Sequence, residues 1–103
     1  MRLAIGSERH GRAHVVQPVG ELDLTTAPQF EHELKRVEAT DAEEIVVDLS
    51  RLQSIDYVGL NILVRAAARS SRRGGGLKLV RGPDPVHRRF QSTGLESHLP
   101  FAD

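Results

Sequence analysis

Cysteine and tryptophan are absent from this 103-residue chain, and its aromatics are one tyrosine and three phenylalanines. The missing cysteine excludes disulfide frameworks, thiolate zinc sites and cysteine nucleophiles together, and agrees with a cytoplasmic protein. With so few aromatics, the core must come from Leu, Val, Ile and Ala, with Phe30, Phe90 and Phe101 as its large members. Apolar residues make up 39%, enough for one core in a single domain over 1–103. No apolar run approaches the roughly 20 residues of a membrane span, so no membrane insertion is expected. The first residues, Met1-Arg2-Leu3-Ala4-Ile5, lack the apolar region of a signal peptide.

Net charge is lacking too, with 14 basic and 14 acidic side chains. That balance argues against a general nucleic-acid binder. It hides an asymmetry: residues 1–50 hold ten acids and five bases, and residues 51–103 hold nine bases and four acids. Arg65, Arg69, Arg72, Arg73, Arg81, Arg88 and Arg89 offer a basic patch. Without interleaved aromatics they do not make a platform for stacking bases.

Catalytic and cofactor constellations fail one by one. His10 and His14 stand four apart, but Gly11 lies between them and the segment enters a strand, so no metal site is expected. Gly74-Gly75-Gly76 before Lys78 follows a helix, where a phosphate-binding loop would precede one; it reads as a helix stop. There is no G-x-S-x-G elbow, and nothing pairs a nucleophile with an oriented base. Neither an enzyme nor a cofactor is expected.

What is present is an alternation of strands and helices. Leu3–Ser7 and Ala13–Val19 read as strands around a turn at Gly11, with Pro18 placing the second at an edge or near its own end. Gly20–Leu24 is an exit loop. Thr26, Pro28 and Gln29 signal a helix start with Thr26 as cap, and Phe30, Leu34 and Val37 give it an apolar stripe. The charged residues between them read as a solvated face. Glu44–Leu49 is a β-branched run typical of a buried strand.

Residues 58–73 follow as a helix with Leu60, Leu63, Val64 and Ala67 on one face, then 77–80 as a strand. Gly82-Pro83 turns, Asp84 caps a third helix opened by Pro85, and Gly94 ends it. Val86 and Phe90 point inward, and Leu95, Leu99 and Phe101 fold back onto the core. Strand 44–49, helix 58–73 and strand 77–80 form a βαβ unit with parallel strands. The expected class is α/β: a small mixed sheet of four or five strands covered by three or four helices.

The most informative stretch runs from Val46 to Leu60. Strand residues Val46-Val47-Asp48-Leu49 lead into a short polar loop, which delivers Asp56 and Tyr57 to a helix beginning near Val58 or Gly59. Unpaired N–H groups and a positive dipole end make such a place suited to an acidic side chain or a phosphate.

Four blocks in order resemble a STAS domain of the bacterial anti-sigma factor antagonist type, from about residue 13 to 101. They are Gly20-Glu21-Leu22-Asp23; Val46–Ser50 with Ile55-Asp56; Gly59-Leu60 with Leu63; and Gly75-Gly76-Leu77 with Val86, Phe90 and Thr93-Gly94-Leu95. The resemblance implies a STAS-like fold and a binding switch that is not an enzyme. Such a protein binds an anti-sigma factor, often a GHKL-type Ser/Thr kinase, and so releases a sigma factor. Phosphorylation just after the loop aspartate weakens that binding, since a phosphate adds up to about two negative charges.

By the same resemblance, partner contacts fall on Glu21, Asp23, Thr25, Asp56, Tyr57, Val58, Gly59 and Asn61. The chain departs from the family where phosphate is accepted. The family has Asp-Ser-Ser-Gly or Asp-Ser-Thr-Gly; here Asp56-Tyr57-Val58-Gly59 stands, with Tyr57 at the acceptor position. A phenol oxygen lies several ångströms farther from the backbone than a serine hydroxyl, so insensitivity to the usual switch is expected. Tyr57 then either packs into the domain or stands out as an interface anchor. Asp23 is either a contact or an ordinary loop residue, and Asp56 is a helix cap in either case. The alternative is a STAS subunit of an ABC-type transporter or of a larger signalling assembly. Monomer and weak dimer are both compatible with the sequence.

Overall fold

Parallel pairing of β-branched runs sets the frame, and the computed structural model describes it over residues 2–102. Its elements are β1 (Leu3–His10), β2 (Ala13–Leu22), α1 (Ala27–Glu38), β3 (Glu44–Asp48), β4 (Leu52–Ile55), α2 (Tyr57–Arg73), β5 (Gly76–Val80) and α3 (Asp84–Ser92), with a 3₁₀ turn at Glu96–His98. The sheet runs β1-β2-β3-β5, and β4 pairs with β2. β1 and β2 form an antiparallel hairpin, and all other pairings are parallel. The class matches the expected mixed α/β sheet with helices.

Two expectations change at the centre of the sheet. Leu52–Ile55 is a strand, where the sequence suggested only loop. β3 pairs with Ala13–Val16 and β4 with Gly20–Leu22, so the two occupy one side of β2 in succession. Pro18 falls in the gap between those two stretches. It therefore sits inside a strand that is no edge, at a point where neither parallel neighbour asks for its missing N–H. The expected βαβ unit joins the adjacent parallel strands β3 and β5, with β4 inserted before its helix.

The helices cover the core as their periodicity dictates. Phe30, Leu34 and Val37 of α1 are buried, as are Val86 and Phe90 of α3. On α2 the buried set is Gly59, Leu60, Ile62, Leu63, Ala66 and Ser70, with Val64 and Ala67 at its margin, so the buried stripe is broader than expected. Each fully buried Leu or Ile contributes roughly 1.5–3 kcal/mol of transfer free energy.

Gly74 and Gly94 both adopt the left-handed conformation, at φ 73°, that ends a helix. Asp84 lies inside the first turn of α3 instead of capping it; Pro83 holds the cap position, and no side chain bonds the free amides there. Asp84 still faces the positive end of the helix dipole.

Beyond α3 the chain returns to the sheet edge. Leu99 is buried, and Leu95 and Phe101 pack against the core. The Leu79 amide donates to the Pro100 carbonyl at 2.9 Å, and the Ala102 amide to the Leu79 carbonyl at 2.8 Å. This short parallel bridge covers the middle of β5.

Candidate functional site

Because β4 lies parallel beside the end of β2, the loop after Leu22 and the start of α2 emerge side by side. The Asp56 amide donates to the Leu22 carbonyl at 3.1 Å. Asp56 then adopts an extended conformation and caps α2: its Oδ1 accepts from the Gly59 amide at 3.0 Å. Its Oδ2 accepts from the Leu24 amide at 3.1 Å. One carboxylate thus holds the first turn of a helix and the tip of a loop thirty-two positions away in sequence. The helix starts at Tyr57, a residue or two before the expected start, because Asp56 takes the cap.

Gly59 shows how tightly the two segments meet. A Cβ there would lie 2.9 Å from both the Ile55 and Leu22 side chains and 3.0 Å from the Leu22 carbonyl oxygen. Only a glycine lets this turn of α2 pass over β2 and β4 without displacing one of them.

The loop is braced by its own side chains. Asp23 accepts from the Thr25 hydroxyl at 2.8 Å, from the Thr25 amide at 3.0 Å and from Arg2 at 2.8 Å. These bonds, the Thr25 hydroxyl first, hold its carboxyl below the usual carboxylate range. Thr26 holds the cap position of α1 as expected, but its side chain bonds none of the helix amides. Its hydroxyl donates to the Glu21 carbonyl at 2.8 Å and accepts from the Asp23 amide at 3.0 Å, which closes the loop and buries the side chain. Asp23 therefore shapes the loop, whatever else it contacts.

What this bracing presents is apolar. Tyr57 is 65% exposed and Leu24 68%, the two most exposed large apolar side chains among the described residues. Of the two fates open to Tyr57, packing inward is excluded by this exposure. Val58, beside it, packs partly against the core. Asn61 is half-buried one helical turn beyond Tyr57 and on the same side. Glu21 lies in β2 just before the loop, with a half-exposed side chain. The structure thus gathers Glu21, Asp23, Thr25, Asp56, Tyr57, Val58, Gly59 and Asn61 into two adjoining segments. Leu24 was missed at the sequence level. The signal for it is a second leucine just past Leu22, flanked by Asp23 and Thr25.

Elsewhere, Ser7 and His14 share a hydrogen bond of 2.7 Å, a pairing the sequence did not suggest. Among the described residues no carboxylate is hydrogen-bonded to the other ring nitrogen of His14, so the pair lacks the orienting third member of a nucleophile system. Also among the described residues, no group of three or more His, Asp or Glu side chains is placed to hold a metal. No helix there is long and apolar enough to cross a membrane.

Comparison with known proteins agrees with this geometry. An anti-sigma F factor antagonist of Paenibacillus polymyxa is 29% identical over 104 residues, spanning 100% of this chain and 89% of that protein. The crystal structure of an anti-sigma factor antagonist from Mycobacterium paratuberculosis superimposes with a TM-score of 0.87 at 29% identity, over 96% of this chain and 84% of that one. The Bacillus cell fate determinant SpoIIAA in its phosphorylated form shares the fold, with a TM-score of 0.73 at 22% identity over 97% and 92% of the two chains. The STAS domain model matches residues 4–103. With that match over nearly its whole length, and with the sheet, capped helix and braced loop described above, the chain belongs to the STAS domain family.

Proposed function

We propose that this protein is an anti-sigma factor antagonist: it binds an anti-sigma factor and so frees a sigma factor, through the surface made by loop 22–26 and the first turn of α2. The observation that carries the reading is the exposed pair Leu24 and Tyr57, fixed on either side of Asp56 by its two hydrogen bonds. Large apolar side chains standing in the open on a braced backbone suit an interface anchor, because little further backbone ordering is needed on binding. The relatives named as anti-sigma factor antagonists support the class of partner. On this reading the protein works in the cytoplasm as a single binding domain, with no catalytic step of its own and no direct contact with nucleic acid.

On this reading the partner is an anti-sigma factor of the GHKL-type Ser/Thr kinase class, and the binding is insensitive to its kinase activity. Tyr57 stands where the family carries its phosphoacceptor, and its phenol oxygen is too far from the backbone for a serine-directed active site. The test is to mix the purified protein with the soluble GHKL-type anti-sigma factors of its own genome, in ADP and in ATP, and then to weigh it for added phosphate. A complex that persists in ATP without phosphate is expected. Phosphate added in ATP with release of the partner would overturn the insensitivity. Failure to bind any of them would overturn the antagonist reading and direct the search to transporters and multidomain sensors.

A further inference from the structure

The basic side chains of the second half of the sequence divide into two groups in space. Arg65 and Arg69 reach across from α2 to Glu31 and Glu38 of α1. Arg2, Arg9, Arg12 and Arg36 likewise have an acid within ion-pair distance. Among the described residues, Arg51, Arg72, Arg73, Arg81, Arg88 and Arg89 have none, and all six are exposed.

Arg72 and Arg73 close α2; the other four follow the ends of β3 and β5 and lie along α3. The Leu49 amide donates to the Val80 carbonyl at 3.0 Å, which sets Arg51, two residues on, near Arg81, the next residue after Val80. Gly82 packs so closely that a Cβ there would lie 2.8 Å from the Leu49 carbonyl oxygen. From there α3 runs beside β4, and Arg88 and Arg89 line a shallow groove of about 550 Å³ on its outer flank with Pro85. Asp84 is the one acid at the start of this helix, and Glu96 is engaged with buried His87.

We infer that Arg51, Arg81, Arg88 and Arg89 form a second contact area for the same partner and receive an acidic patch of its surface; the inference rests on the antagonist reading above. β4 connects the two areas, since it begins just after Arg51 and ends just before Asp56. At about 3.3 Å per residue, Arg51 and Tyr57 are at most about 20 Å apart. A standard interface covers about 800 Å² on each partner, a patch roughly 30 Å across, so a single partner spans both. Guanidinium groups without internal acids suit carboxylates, which they bind in paired geometry. The near absence of aromatics speaks against single-stranded nucleic acid as the occupant. The division of labour is then physical: Leu24 and Tyr57 hold the complex, and the arginines steer its formation.

The test uses the GHKL-type anti-sigma factor selected by the ADP and ATP experiment. Association rates are measured at low and high salt for the native protein, for Arg88→Glu/Arg89→Glu, and for Arg72→Glu/Arg73→Glu. The last pair lies in the final turn of α2, outside the proposed area. Reversal at 88 and 89 should slow association about tenfold at low salt, with the difference shrinking at high salt and the control pair staying near native. Thermal melting checks the fold, and Arg88→Ala/Arg89→Ala gives a milder variant with a smaller effect of the same sign. If the native protein binds and every arginine variant associates at the native rate, the inference fails and the antagonist reading stands. Equal slowing by the control pair also overturns it. If the native protein binds no anti-sigma factor, both fail.

Discussion

Asp56 joins two roles that are separable by substitution. Its Oδ1 caps α2 and its Oδ2 holds the Leu24 amide, so one side chain fixes both halves of the exposed surface. Losing a cap costs about 1 kcal/mol, and losing a further charge-assisted bond to a loop amide costs about 1 kcal/mol more. Asp56→Ala should therefore lower stability by about 2 kcal/mol in urea unfolding, and Asp56→Asn, which keeps one carbonyl oxygen, should fall between. A loss confined to the cap value would mean that the Leu24 tether contributes nothing. At this scale the sequence was half legible. An aspartate before a helix reads as a cap from local pattern alone, but its second oxygen serves a residue that only the pairing of β2 with β4 brings near.

At the scale of elements, the long periodic segments were readable and the short one was not. α1, α2 and α3 each carry an apolar stripe that tertiary packing simply uses. β4 has two exposed polar residues between two buried apolar ones, which breaks the alternation that marks a strand, and it exists because β2 offers it a free stretch of backbone. The solvated face assigned to α1 is also more organised than its pattern shows. Glu31 and Glu38 receive Arg65 and Arg69 of α2, the second through a bidentate contact at 2.8 and 2.9 Å.

Within α1, Arg36 donates two hydrogen bonds to Glu33, and chiefly through them the Glu33 carboxyl is lowered from 4.5 to about 2. A carboxyl with a depressed folded pKa stabilises the fold above its unfolded pKa and loses that contribution as pH falls through the folded one. The window here runs from about 4.5 down to about 2. Urea midpoints across it should fall more steeply for the native protein than for Glu33→Gln, and the two curves should converge at the acid end. Parallel curves would deny Glu33 this role.

At the scale of the whole molecule, the edge strands β1 and β5 are protected differently. β1 is exposed over Gly6–His10 and carries Glu8, Arg9 and His10, charged or polar groups that discourage pairing with another chain. β5 is short and carries the exposed Val80, and the chain covers it with its own last residues. The apolar tail Leu95, Leu99 and Phe101 was legible as a return to the core, because apolar side chains in a polar segment need a place to go. That it also completes a β-bridge to Leu79 was not, since backbone pairing leaves no mark on residue type there. Phe101 anchors this return, edge-on to Phe90 and to His87 with ring centres 5.0 Å away in each case. Truncating a buried phenylalanine costs about 3–5 kcal/mol; Phe101 is only partly buried, so Phe101→Ala should cost about 2 kcal/mol. The loss should be local before it is global. The Leu79 amide, bonded to Pro100, should exchange with solvent much faster in the variant, and the amides that β5 donates to β3 should slow or quicken only with overall stability. The uncovered edge should also promote self-association, visible as a concentration-dependent shift in gel filtration. Uniform acceleration of all sheet amides would mean that the tail and the sheet open as one unit, and the tail would then be part of the core and not a cover for its edge.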